Sequence, residues 1–442
     1  MKKFVLLSAA FFALQPAFAA GDKAALAAAR MSDEELLDVT QKQTFRYFWD
    51  FAHPVSGLAR ERSNNPPDYI NGSDTCAVGG TGFGVMAIIV AAERQWITRE
   101  EAAKRLLKMA RFLARADSYH GIFPHWLNGA TGKTIPFYRK DDGADLVETA
   151  YLIEGLLCAR QYFSKGTPEE TELRGIIDQI WREAEWNWHT RDGRKVLYWH
   201  WSPNNGWAMD APVRGWNECL ITYVLAASAP RYSIDADVYH EGWAESDHFK
   251  NGKEFYGIKL PLGFDYGGPL FFAHYSFLGL DPRGLKDQYA DYWALNTNHA
   301  LINREHCVRN PGKFKGYGPD AWGLTASDDG HGYDAHSPTN DTGVISPTAA
   351  LSSFPYTPEY SMQALRHFFF NLGEKIWGEY GFTDAFNENE NWYGKTYLAI
   401  DQGPIIAMIE NHRTGLLWKL FMSCPEIQAG LKKLGFQSPH LK

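Results

Sequence analysis

The run ADLVETAYLIEGLLC, residues 144–158, is apolar on nearly every side of the helix it predicts. A helix without a polar face belongs in an interior. YRKDDG (138–143) precedes it, so charge crowds the mouth of a helix that offers water nothing further along. The same grammar recurs: a loop rich in Gly, Pro or acid, then a helix apolar all round. It is found at GGTGFGVMAIIVAA (79–92), RGWNECLITYVLAAS (214–228), GGPLFFAHYSFLG (267–279), SPTAALSSF (346–354) and GPIIAMIENHRTGLLWKLF (403–421). Pro269, Pro347 and Pro404 stand where a first helical turn tolerates proline. The starts lie roughly 55 to 80 residues apart, several helix lengths.

Amphipathic segments fill the gaps. DEELLDVTQKQTFRYFWDF (33–51) has a Ser32 or Asp33 cap, and TREEAAKRLLKMARFLARA (98–116) opens with a Thr98–Glu101 capping box. TPEETELRGIIDQIWREAEWN (167–187) repeats the device with Thr167 and Glu170. Weaker candidates cover 234–248, 285–302 and 357–375. Twelve helices thus alternate outer and inner, which predicts an all-α (α/α)6 toroid. In such an alternation the inner helices run the same way and their N-terminal ends share one rim. An irregular helical protein or two bundles is the alternative. The six-fold count, rather than the propensity of any one helix, favours the toroid.

The N-terminus sets the expected compartment. Lys2 and Lys3 precede an apolar run from Phe4 to Leu14, and Ala17-Phe18-Ala19 is an A-x-A cleavage site. That reads as a secretory signal peptide over residues 1–19. Without a lipid-attachment Cys or a later membrane span, the mature chain is expected to be soluble, monomeric and exported, to a bacterial periplasm. Length alone would allow two or three domains. No linker divides 20–442, which reads as a single domain. The irregular stretch 306–345 is full of aromatics and reads as a loop over one face. Five widely spaced cysteines form no zinc pattern; Cys158 and Cys219, in apolar helical runs, read as buried free thiols, and one disulfide is left open. The formal charge is −8 without any Lys/Arg block, which argues against nucleic acid.

Asp141, Asp145 and Glu148 sit at spacings of four and three, which a helix would stack on one face. Ordinary N-terminal helix acids, with Asp142 as cap, are the plain reading. Their helix is interior, however, so they point into a concave rim, with Arg139 and Lys140 beside them. Arg214, Trp216, Asn217 and Glu218 open another inner helix, and Asp401-Gln402 opens the last. Carboxylates converging on one rim suit glycoside hydrolysis, which needs a protonated acid and a second carboxylate. Glu218 is the candidate acid because an apolar helix lies behind it. A salt bridge to Arg214 would have the opposite effect. Aromatics cluster in four loops, with His125 and Trp126 in IFPHWLN, and Trp199, Trp201 and Trp207 in YWHWSPNNGW. Trp322 lies in YGPDAWG, and Trp392 and Tyr393 in NENENWYGKTY. Such rings stack on pyranose C–H faces. GGTGFG (79–84) lacks the preceding strand of a phosphate loop and reads as close helix packing. SDDGHGYDAH (327–336) matches no metal-site spacing, and the remaining histidines do not cluster. No metal or cofactor is expected.

DDGADLVETAYLIEGLL, RGWNECLITYVLAASAP and DQGPIIAMIENHRTGLLWKLFM resemble the glycoamylase-like domain, which includes bacterial endo-β-1,2-glucanases of glycoside hydrolase family 144. The resemblance runs from FRYFWDF (45–51) onward. It implies inverting hydrolysis of β-1,2-glucan to sophoro-oligosaccharides, with Asp141, Asp145, Glu148 and Glu218 in the cleft. It places Asp401 across the cleft as base or relay. An exo-acting variant, a transglycosylase on β-glucans, or a carbohydrate-binding toroid without catalysis are the other readings.

Overall fold

The computed structural model describes residues 31–63 and 72–441. The signal-peptide segment, residues 1–19, lies outside them. The chain alternates between two layers. Outer helices α1 (Asp33–Trp49), α3 (Arg99–Leu113), α5 (Pro168–Glu183), α7 (Tyr292–Arg309) and α9 (Pro358–Phe370) each keep an exposed face. Inner helices α2 (Val78–Glu93), α4 (Leu146–Tyr162), α6 (Leu220–Ser228), α8 (Pro347–Leu351) and α10 (Ala399–Arg413) are buried over nearly their whole length. A π-helical turn, Val238–Trp243, stands as the sixth outer segment, and two consecutive 3-10 turns, Leu270–Ala273 and Tyr275–Phe277, together form the sixth inner one.

The inner ring closes through contacts between each neighbouring pair. Between α2 and α4 the backbones nearly touch: a Cβ on Gly155 would lie 2.1 Å from the Gly82 carbonyl oxygen. Only residues without a side chain permit that approach, so the Gly-rich run serves packing. α6 packs on α4 and meets the 3-10 turns, where the Ile221 N–H donates to Ser276 Oγ at 3.0 Å. His274 Nε2 lies 3.0 Å from Ser353 Oγ, just beyond α8. Thr348 Oγ1 donates to the Asp401 carbonyl at 2.8 Å, joining α8 to α10. A Cβ on Gly403 would strike Phe83 of α2, which brings α10 back to the start. The inner segments therefore run in ring order α2, α4, α6, 3-10 turns, α8, α10, and α6 stands opposite α10.

Local chemistry explains most boundaries. Ser32 and Thr98 form capping boxes with Glu35 and Glu101. Thr167 caps α5 through the Glu170 N–H, but the Glu170 carboxylate is taken by Arg99 at 2.7 Å, so the reciprocal half of the box is missing. The run 403–421 is not one helix. It breaks at Thr414–Gly415, where Gly415 has φ +67°, and resumes as α11 (Leu416–Met422) and α12 (Pro425–Lys433). The fourth pair is short, a π-helical turn and two 3-10 turns, and Tyr266, Gly267 and Gly268 just before those turns all adopt positive φ. All five cysteines are free and buried. Among the described residues no helix is long and apolar enough to cross a membrane.

Candidate active site

The starts of α2, α4, α6, α8 and α10 share one rim of the ring, and loop residues between them close over it. The three acids of the opening run do meet there, although helical stacking is not what gathers them. Asp145 sits in a two-residue strand, β1 (Ala144–Asp145), paired with β2 (His200–Trp201). It is the N-cap of α4, and its Oδ1 accepts the N–H groups of Val147 (3.0 Å) and Glu148 (2.9 Å). Asp142 does not cap; its carboxylate binds Ser202 and Asn204 instead.

Two histidines organise this wall. His125 Nδ1 donates to Asp145 Oδ2 at 2.8 Å, and its Nε2 lies 4.0 Å from Glu148 Oε1. His200 Nδ1 lies 3.2 Å from Asp141 Oδ1 and 3.7 Å from Asp145 Oδ2. Trp199 Nε1 donates to Asp145 Oδ1 at 2.9 Å, and the Gly79 N–H of α2 donates to Glu148 Oε2 at 2.7 Å. Burial alone would raise Asp145, but the charges of His200 and His125 outweigh it and hold the carboxyl below its usual range. Burial alone would lower His125, yet Glu148, Asp145 and Asp141 raise it to about 9. Glu148 is pushed up to about 7 by burial, against the His125 charge. Arg139 and Lys140 are exposed and make no ion pair with these acids; the histidines take that role. The expectation that the histidines stay apart is therefore corrected.

Donor atoms of His125, Asp141 and Asp145 lie within 4.8 Å of one another, a spacing that could hold a cation. His125 Nδ1 is already committed to Asp145, and the protonated ring supplies the positive charge a cation would bring. The acids of the run 327–336 are dispersed: Asp328 binds Arg62, and Asp329 accepts the N–H groups of His331 and Gly332.

The neighbouring wall, at the start of α6, has no such counter-charge. Arg214 turns away and donates to the Gly242 carbonyl at 3.0 Å. Asn217 caps locally, its Oδ1 accepting the Cys219 N–H at 3.0 Å. Glu218 keeps an edge open to the cleft, but the protein packed around its carboxyl desolvates it and pushes it up to about 7, and the Glu148 charge adds to this. Across the ring Asp401 is raised well above its usual value by burial and then by the charge of Asp384, its hydrogen-bonding neighbour. Asp384 is pushed up to about 7 by burial and by Asp328. Tyr275 lies between the two sides: after burial, the charges of Asp401, Tyr333, Glu218 and Glu148 raise its phenol. Tyr333 is half exposed, yet its hydroxyl is desolvated and feels Asp401 and Asp384.

The aromatic residues divide. Trp199, Trp201 and Trp207 remain partly open, Trp201 edge-on to His120 at 5.3 Å and Trp207 beside Trp188 at 6.4 Å. Trp392 and Tyr393 are also partly open, with the Lys375 ammonium over the Tyr393 ring. Trp216 and Trp322 are core residues with no ring face left for a sugar, and Trp126 packs against Phe137. Gln402 is buried and donates to the Phe382 carbonyl at 2.9 Å. Sequence reasoning missed His200, Tyr275, Tyr333 and Asp384. Of these, His200, Tyr275 and Tyr333 stood inside runs already singled out, and Asp384 did not.

A family model described as "Putative glucoamylase" matches residues 210–425. The chain is 46% identical over 425 residues to an exo β-1,2-glucooligosaccharide sophorohydrolase (non-reducing end) of Parabacteroides distasonis. That match covers 91% of this chain and 58% of the relative, so the chain spans less than two thirds of that relative's length. A Bacteroides uniformis structure, described in the same words as the family model, is 62% identical, with TM-score 0.91 over 93% of this chain and 100% of that one. An endo-β-1,2-glucanase from Chitinophaga pinensis, in complex with sophorotriose and glucose, is 58% identical, with TM-score 0.90 and the same coverage. With a two-layered helical ring, a rim of buried carboxyls and these relatives, the chain belongs to the glycoamylase-like family of glycoside hydrolases.

Proposed function

We propose that the chain hydrolyses β-1,2-linked glucan with inversion of configuration. The observation that carries this reading is the pair of desolvated carboxyls at opposite helix starts of one rim, Glu218 before α6 and Asp401 in α10. Glu218, near half-protonated at neutral pH, gives its proton to the departing glycosidic oxygen. Asp401 takes the proton of the attacking water, directly or by relay. Helices on opposite sides of the ring leave room for that water, as inversion requires. Asp141, Asp145 and Glu148, fixed by His125 and His200, hold sugar hydroxyls, and the open faces of Trp199, Trp201 and Trp207 stack on the rings. The relatives active on β-1,2-linked glucose supply the linkage. Export through the signal peptide to the periplasm is part of this reading, as is action as one domain and one chain.

Endo action releasing sophoro-oligosaccharides is the first form. Exo release of sophorose is the second, favoured by the Parabacteroides distasonis relative and by the hairpin Ala326–Ala335 that brings Tyr333 over Asp401. Incubation with linear β-1,2-glucan, and in parallel with β-1,3-, β-1,4- and α-1,4-glucans, tests the proposal once the products are resolved. A ladder of sophoro-oligosaccharides from the first polymer alone supports endo action, and a single disaccharide supports exo action. Turnover of another linkage in preference would refute the reading.

A further inference from the structure

Asp384 lies in no helix and no motif, yet three segments fix it. Its Oδ2 accepts the Asp328 N–H at 2.7 Å, its carbonyl accepts Ser346 Oγ at 2.6 Å, and its N–H donates to the Thr396 carbonyl at 2.9 Å. Asp401 is equally fixed in the first turn of α10, where its carbonyl accepts Thr348 Oγ1. The two carboxyls lie within hydrogen-bonding reach of each other, both about 2% exposed. Asp384 Oδ1 and Asp401 Oδ2 receive no donor from any described residue. Two ionised carboxylates in that position would combine a like-charge contact with two bare buried oxygens, and each fault is costly. The nearby cation does not remove either fault. Arg62 is engaged by Asp328 at 2.9 Å and Glu61 at 3.0 Å, and Thr396 Oγ1 adds a further bond to Asp328. The other groups facing the pair are Tyr333, Tyr275 and Asp328, none of them positive.

One proton between the two carboxyls removes both faults. We propose that Asp384 and Asp401 hold a single proton in a shared hydrogen bond, with Asp384 acting as the positioning residue for Asp401. The raised proton affinities of both groups agree with this. In turnover the pair starts with one negative charge. As water attacks the anomeric carbon, its O–H bond breaks and that proton goes to Asp401, while the shared proton moves to Asp384. The leaving oxygen takes the proton of Glu218, and solvent exchange restores both sites. The part played in turnover rests on Asp401 being the base; the shared proton does not.

Infrared difference spectra of purified wild type, D384N and D401N at neutral pH test the pair directly, with kcat and KM measured on β-1,2-glucan oligosaccharides. Expected is one protonated-carboxyl C=O band that both variants lose. In D384N the new amide donates to an ionised Asp401, and in D401N the new amide donates to an ionised Asp384. In D384N, kcat falls by about tenfold or more while KM stays within about threefold, the mark of a group serving the transition state. Persistence of that band in D384N overturns the shared proton, whatever happens to the rate. Should D384N fail to fold, D401N reads the same band from the other partner. Loss of the band in D401N with kcat intact supports the shared proton and refutes Asp401 as base, so the two failures separate.

Discussion

The carboxyls of the His125–Asp145 wall and those of Glu218 and Asp401, which face each other across the ring, are the same residue type in the same rim, yet the two sets hold opposite charge states. On the first, two histidines and a capped helix start keep Asp145 ionised although it has no exposed surface. On the second, Glu218 has no cation within an ion-pair distance among the described residues, and Asp401 has another carboxyl for a neighbour. Desolvation penalises the charged form in both sets, and the partners decide the outcome. The fold thereby provides fixed acceptors for sugar hydroxyls beside groups able to give and take protons.

Substitutions on the two sides should therefore fail differently. E218Q removes the proton donor but breaks no ion pair, so kcat should fall by about 10²–10⁴-fold with the melting temperature unchanged. A variant that turns over normally would remove Glu218 from the acid role. D145N strips the histidines of their buried counter-charge, and urea unfolding should report a loss of about 3–5 kcal/mol. A smaller cost is expected for G79A, whose Cβ would sit 2.6 Å from Glu148 Oε2 and displace it from the α2 N–H. Overpacking of that kind costs about 1–3 kcal/mol, readable in the same melts.

The pH dependence of stability should also separate the partners. His125 is raised above its unfolded value, so its contribution is full below about 6.5 and is lost as pH rises through about 9. Asp145 is lowered, so its contribution is present above its unfolded value of 3.8 and is lost as pH falls through the folded one. Comparing wild type with H125Q across this range should show a stability gap that closes at alkaline pH. The smallest effect is expected for R139A and K140A. Both residues are exposed, and their removal should stay within about 0.5 kcal/mol in a thermal melt.

The ring was legible because an inner helix must be apolar all round, and no tertiary knowledge is needed to see that in ADLVETAYLIEGLLC. The fourth pair was harder, since its inner segment folds as two 3-10 turns while keeping the apolar pattern of a helix. Asp141, Asp145, Glu148, Glu218 and Asp401 could be found because each stands at the start of an inner helix. Their partners could not. His125 and His200 are far apart in sequence: the β1–β2 ladder sets His200 opposite Asp145, and the bond from the Asp145 N–H to the Phe123 carbonyl brings His125 alongside, while Asp384 comes from a loop and Tyr333 from a short hairpin. Trp216 and Trp322 show the limit of counting aromatics, because composition does not tell a core ring from an open one.

Carbon-13 NMR of the side-chain carboxyls, followed against pH, measures the contrast between the two sides most directly. Wild type, E218Q and D145N serve to assign the signals. The account predicts that the Glu218 carboxyl titrates near 7 while Asp145 stays ionised to below the ordinary aspartate range. Glu218 titrating as an ordinary surface glutamate, near 4.5, would contradict it.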